Sequence, residues 1–309
     1  MAAISMFDQI AKNRRNTVIL IGVMSLIFVA IGYSTGFIFF RNPYAGLVIG
    51  GVIAVVMGLF SYFRGDSLIL TVSGAKQIQK KDHPQLFNVV EELSIAGGVP
   101  LPKIYIMQDE ALNAFATGRD PENASVAITT GLLAKLNRDE LQGVMAHELA
   151  HVMNRDIMYS MMVGVMAGAI VMLADFALRY MFWFGGGSRG SSDNNNNNQI
   201  MMIVGLVVTI LAPILATLVQ LAVSRQREYL ADATAVKLTR NPDGIASALE
   251  KLSKDTTQDM RAANRATQHL YIVNPFKKER VKSLKKKAKS TWSTHPALDD
   301  RISKIRSLG

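Results

Sequence analysis

Apolar residues along this chain are gathered into long uncharged runs, and that grouping dictates most of the architecture. Residues 17–40 and 45–63 carry no charge, and each run is long enough for a helix to cross the hydrocarbon of a bilayer. Only Arg41-Asn42-Pro43-Tyr44 separates them. They read as a transmembrane hairpin with its tight turn outside and both ends in the cytoplasm. Lys12, Arg14 and Arg15 ahead of the first run would also suit a signal peptide, but that needs a shorter apolar stretch and a cleavage site before a polar mature chain. Residues 157–174 and 200–223 are again uncharged and predict a second hairpin. The first of these runs leads to an aromatic end, Tyr180-Met181-Phe182-Trp183-Phe184, of the kind found at membrane interfaces. The glycines, serines and asparagines of residues 185–199 then make a flexible outer loop that cannot form a core.

Between and after the hairpins the pattern is that of a soluble domain. Pro84 suits a first helical turn, and Gly97-Gly98 supplies the stop. Short β-type runs at residues 103–107, 113–117 and 125–129 predict a small sheet. Asn137 followed by Glu140 reads as a helix cap with its reciprocal glutamate and predicts a helix over residues 139–154. The predicted fold class is mainly α with a small β-sheet, a four-span membrane protein carrying a cytoplasmic domain. Its parts are an N-terminal transmembrane hairpin (1–63), the first half of the cytoplasmic domain (64–156), a second transmembrane hairpin (157–223) and the second half of that domain (224–309).

Charge sharpens the topology. The formal net charge is +10, and nearly all lysines and arginines fall in residues 64–156 and 224–309, which places both segments on the cytoplasmic side. Such an excess could point to nucleic acid, but no nucleic-acid-binding module accompanies it. Membrane lipid is the expected partner instead. The basic stretch at residues 277–289 is a solvated surface or a contact with anionic headgroups. There is no cysteine, which excludes disulfides and thiolate metal ligands.

The candidate chemistry sits in His147-Glu148-Leu149-Ala150-His151, inside the predicted helix. Residues four apart on a helix differ by about 40° of rotation and one turn of rise, so both imidazoles can reach one ion. Two neutral histidines, a coordination position left open to water and a carboxylate that takes the water's proton are what zinc hydrolysis needs. This is the H-E-x-x-H pattern of zinc proteases. A third protein ligand must come from elsewhere. Glu228 and Asp232 are four apart on a helical extension of the fourth run, and would face His147 and His151 if the second hairpin is antiparallel. They could equally be a solvated face paired with Arg225 and Arg227. His83 and His269 have no motif around them and read as structural.

H-E-x-x-H followed, after a hairpin, by an E-x-x-x-D helix resembles the HtpX family of membrane zinc metalloproteases, relatives of the type I CAAX prenyl protease. The resemblance takes in the two leading spans, Asn113-Ala114-Phe115-Ala116-Thr117-Gly118 and Ser293-Thr294-His295-Pro296. It implies a zincin-like protease domain with one Zn2+ bound by His147, His151 and Glu228, and with Glu148 as general base. It further implies that Asp232 orients a ligating imidazole, that Asn113, Ala114, Phe115 and Ala116 form an edge strand for extended substrate, and that His295 stabilises the oxyanion. The expected work is quality control and stress response at a bacterial inner membrane, on damaged or misfolded membrane proteins. Two alternatives are prenyl-protein processing and, from another class, a membrane scaffold or transport component with a structural metal site. Oligomeric state, cleavage specificity and natural substrates are not encoded in any of these patterns.

Overall fold

The computed structural model describes residues 6–39, 42–166, 168–169, 225–254, 259–260, 263, 267–276 and 296–308. The fold is mostly helical with one small sheet. Helices α1 (Met6–Phe39) and α2 (Pro43–Val72) pack against each other, with Asn42 capping α2 by accepting from the Tyr44 and Ala45 N–H groups. Within them Asn13–Tyr33 and Pro43–Val72 are long and apolar enough to cross a membrane. Their packing is the reverse of a water-soluble helix. The buried face of α2 carries Gly46, Gly50, Ala54, Ser61 and Gly65, whereas Val48, Val52, Val55, Val56, Leu59 and Phe63 point outward. Small residues inside and large apolar ones outside is the arrangement helices adopt in lipid, where close backbone approach rather than hydrophobic burial drives association. A Cβ on Gly50 would collide with the Phe28 carbonyl oxygen at 2.6 Å, while Gly51 has nothing within 4 Å. The apolar run stops at Phe63, yet α2 continues to Val72 because Gly65, Ile69 and Leu70 still face inward.

Four strands follow: β1 (Ala75–Gln77), β2 (Lys103–Met107), β3 (Ala114–Gly118) and β4 (Ala124–Thr129), in the order β1-β2-β4-β3. The β2–β4 pair is parallel and the other two pairs are antiparallel. β1, only three residues after Gly74, is too short to show a pattern and was not expected. Side chains on a strand alternate faces, and here each face has its own core. Ile104, Ile106, Val126 and Ile128 join the helical domain, whereas Met107, Phe115 and Ala127 join Met24, Ile69, Leu70 and Met161 on the hairpin side. A sheet covered on both faces has no polar alternation, which is why β3 and β4 are buried throughout.

The helical domain comprises α3 (Pro84–Gly97), α4 (Thr130–Lys135), α5 (Arg138–Met153), α7 (Arg225–Thr239), α8 (Pro242–Ser253) and α9 (Leu298–Arg306), with α6 (Ile157–Met166) running on from α5. Gly98, at φ 63, stops α3 in the left-handed conformation, as the glycine pair predicts. α5 lies at the centre, packed on α3, α7, α8 and β3. Its end meets the hairpin: the Asn13 side chain donates to the Asn154 carbonyl at 3.3 Å, and Met161 of α6 lies 3.2 Å from where a Gly65 Cβ would stand. The second predicted hairpin beyond α6, its outer loop and the 277–289 basic stretch lie outside the described residues.

Gly50→Leu is expected to destabilise the detergent-solubilised protein by about 1–3 kcal/mol through overpacking, and Gly51→Leu to leave it unchanged. Thermal unfolding of the two neighbouring variants side by side checks this.

Candidate metal centre

α5 starts where the sequence says it should. The Asn137 side chain accepts from the Glu140 N–H at 2.9 Å, and the Glu140 carboxylate accepts from the Asn137 N–H at 2.8 Å. From that fixed start His147 and His151 fall one turn apart on the face turned to α7. α7 brings Glu228 and Asp232, also one turn apart, to meet them. One donor atom from each of His147, His151 and Glu228 lies within 4.8 Å of the others.

The donor chemistry fits a metal. The two Nε2 atoms face each other at 3.3 Å, and the Glu228 carboxylate oxygens lie 3.7 Å from His147 Nε2 and 3.8 Å from His151 Nε2. Zinc bonds of about 2.0–2.1 Å at tetrahedral angles put donors about 3.3–3.4 Å apart. Both Nδ1 atoms are already committed. That of His147 stands 3.0 Å from Asp232 Oδ1, and that of His151 3.1 Å from Asp156 Oδ2. A carboxylate on each Nδ1 turns that ring's Nε2 toward the shared point, so two imidazole nitrogens and a carboxylate converge there, and a metal that displaces the His151 Nε2 proton would find three donors in place.

Charges around the point are balanced by Arg301, on α9, which is fully buried. Its Nε donates to Asp232 Oδ2 at 2.8 Å and its Nη2 to Asp232 Oδ1 at 2.6 Å, while Nη1 lies 3.3 Å from Glu228 Oε2. Burial opposes the Asp232 charge, but Arg301 and His147 hold its carboxyl below the usual range. Burial and the Arg301 charge also push His147 down, against the pull of Asp232, which keeps that ring neutral. At His151 burial works against the cation, yet Asp156, with Glu228 and Glu148 behind it, raises the ring to about 10.

Glu148, buried beside the histidines, is pushed up to about 7 chiefly by burial, with Glu228 adding to the rise. His151, Arg301 and the Ala116 N–H work the other way. A carboxylate that titrates near neutrality can accept and return a proton at working pH. Glu148, His147, His151 and Glu228 line a cavity of about 30 Å³ together with Leu270, Tyr271 and Ile272.

Of the residues singled out in the sequence, His147, Glu148, His151, Glu228 and Asp232 are brought together, and the solvated-face alternative for Glu228 and Asp232 is overturned by their burial. Ala116 reaches the site through its N–H. The rest of that strand is already covered: Ala114 O accepts from the Ile272 N–H at 3.0 Å, and the Asn113 side chain donates to Val273 O at 3.0 Å. His295 lies outside the described residues. His83 precedes α3 and is exposed, consistent with a structural residue. His269 is buried in the cavity wall with Nε2 3.0 Å from Ser160 O. Two residues were missed. Asp156 could have been suspected from its place just beyond the helix end. Arg301 gives no sign in the sequence, since an arginine after two aspartates looks like an exposed helix surface.

Because the His151 ring carries a proton in the metal-free chain, zinc uptake at pH 8 is expected to release about one proton per ion. Calorimetry in two buffers of different ionisation enthalpy counts it. Asp232→Asn and Asp156→Asn should each weaken zinc binding by about 10–100-fold, read by competition with a chelator of known affinity.

Comparison with known proteins places this site in a family. The profile of Peptidase family M48 matches residues 80–308, which include every residue of the metal centre described above. Over 309 residues the chain is 42% identical to a protein named Protease HtpX homolog from Thermoanaerobacter pseudethanolicus, covering 100% of this chain and 99% of that one. A Protease HtpX homolog from Streptococcus pneumoniae is 43% identical over 308 residues, covering 98% of this chain and 100% of that one. The crystal structure of S. mikatae Ste24p is similar with a TM-score of 0.49 at 17% identity, covering 97% of this chain and 67% of that one. The chain belongs to peptidase family M48, as a zinc metalloprotease of the HtpX type.

Proposed function

We propose that this protein is a membrane endopeptidase that hydrolyses damaged or misfolded membrane proteins at the cytoplasmic face of a bacterial inner membrane. One zinc would be held by His147, His151 and Glu228. The observation that carries the assignment is the convergence of two Nε2 atoms, each ring held by a carboxylate on its opposite nitrogen, on the Glu228 carboxylate. When bound, zinc supplies Lewis acidity, polarising a carbonyl and making water easier to deprotonate at neutral pH.

The chain's own residues do the rest. Glu148 takes the proton of the attacking water and passes it to the leaving amine, a shuttle for which a carboxyl near 7 is suited. Asp232 and Asp156 hold the imidazoles in the ligating tautomer. An extended substrate adds at the rim of β3 beyond Ala114, since Ile272 and Val273 occupy the edge at Ala114 and Asn113. A cavity of about 30 Å³ holds an ion and water but no peptide, so Leu270, Tyr271 and Ile272 move aside when substrate enters. His295 donates to the developing oxyanion.

α1 and α2 would be the first two spans, and residues 157–223 the second hairpin of a four-span protein. The excess of lysine and arginine in residues 64–156 and 224–309 supports a cytoplasmic position for both halves of the protease domain. Contact between Asn13 and the end of α5 supports a metal site beside the membrane surface. A scaffold or transporter with a structural ion would need a fourth protein donor, and the group found among the described residues has three members.

Glu148→Gln is expected to lower cleavage of an unfolded membrane protein in detergent by roughly 10²–10⁴-fold while its zinc content equals that of the wild type. Equal activity in the two proteins would remove Glu148 from the chemistry. Preference for prenylated peptides over the unfolded protein would redirect the substrate assignment.

A further inference from the structure

A second cavity, of about 300 Å³, opens between the end of α2 and the sheet, at the lower end of the size range of small-ligand pockets. Its wall presents three cations, Arg64, Lys103 and Arg119, against the single carboxylate of Asp66. Asn123 and Tyr105 add polar atoms. Unlike the arginine of the metal centre, these cations are hardly spent on the protein itself. Among the described residues Arg64 and Lys103 make no ion pair, and Arg119 has only a 3.4 Å contact to its neighbour Asp120. Arg119 is nevertheless held in place. Gly118, at φ 142 and too close to Asn123 to accept a Cβ, turns the chain. The guanidinium then lies 5.7 and 5.6 Å from the rings of Tyr62 and Phe63.

The height of this cavity along the hairpin identifies its occupant. Outward-facing apolar residues run along α2 without a charge from Tyr44 to Phe63, Arg64 is the first charge after them, and beyond it only Leu68 and Val72 among the large apolar residues of the helix are exposed. Gly32 packs on Gly46 and Gly50. Counting back about 26 Å along α1 from Gly32, against about 24 Å forward along α2 to Arg64, brings exposed Arg14 and Arg15 to nearly the same height. The cations thus collect where an apolar slab gives way to water, next to an aromatic pair, which is the depth of lipid headgroups. Arginine forks match phosphate oxygens in pairs, and a lysine adds a point charge.

We propose that this cavity binds a phosphate-bearing anion, supplied by an anionic phospholipid headgroup. The proposal rests on α1 and α2 being membrane spans, but not on the zinc chemistry. It is tested with the full chain in detergent, titrated with dihexanoyl phosphatidylglycerol and, separately, with dihexanoyl phosphatidylcholine, and read by native mass spectrometry. Wild type should bind the phosphatidylglycerol, and bind the phosphatidylcholine roughly tenfold more weakly. Lys103→Gln/Arg119→Gln should lose affinity for phosphatidylglycerol by roughly tenfold or more. Arg64→Gln, which changes an exposed side chain and leaves folding alone, should lose severalfold. Lys135→Gln/Lys237→Gln removes the same charge elsewhere and should bind as wild type does. Displacement by millimolar inorganic phosphate would assign the site to a soluble anion, and retention of lipid against it would assign it to the membrane. Equal binding by wild type and the pocket variants, an equal loss in the control, or no binding at all would overturn the site. Zinc content and cleavage of an unfolded protein, followed in the same samples, report separately on the protease assignment, and release of the chain from membranes by alkaline carbonate would report on the spans.

Discussion

The buried ion pair between Arg301 and Asp232 is the contact on which the rest of the site depends. A guanidinium with no exposed surface is tolerable only if carboxylates meet it, and here Asp232 takes two of its nitrogens while Glu228 faces a third. Breaking one side of such a pair costs about 3–5 kcal/mol, because the other charge is left stranded in the interior. The pair also has direction. Asp232, held ionised by Arg301, fixes the His147 ring, and His147 faces His151. Three stretches of chain far apart in sequence are therefore locked to one geometry before any metal arrives.

The sheet is the second organising element, and it serves two cores at once. Alternate residues of β2, β3 and β4 look into the helical domain and toward the hairpin. Rigidity is passed in this way from the spans to the edge strand whose Ala116 N–H donates to Glu148. The same double burial explains why β3 and β4 hold no polar face, and β3, at the rim, is sealed at its first residue by Ile272, which donates to Ala114 O.

Much of this could be read from the residues because the signals are local. Uncharged runs gave the hairpin, Pro84 and Gly98 bracketed α3, and Asn137 with Glu140 fixed the register of the helix that carries both histidines. The approach of Glu228 and Asp232 was harder, since their spacing also suits an exposed face with arginine partners; only packing of α7 on α5 decides. Arg301 could not be foreseen at all. Its importance comes from the interior that α9 enters, and nothing in the nine residues of that helix records it. The coverage of Asn113 and Ala114 was hidden for the same reason: an edge strand looks the same in sequence whether or not another segment lies along it.

The hydrogen bond from Asn13 to Asn154 has a bearing on selectivity. It ties the end of the helix that carries both histidines to the start of the apolar stretch Asn13–Tyr33, so the metal centre stands at a fixed distance from that end of the hairpin. Protease domains on long tethers sample a large volume and meet soluble chains freely. On the function proposed above, one clamped in this way would work as a ruler, meeting only those peptide bonds that a client exposes close to the bilayer. A span that has slipped partly out, or one never inserted, presents such bonds; a folded cytoplasmic domain keeps its own out of reach.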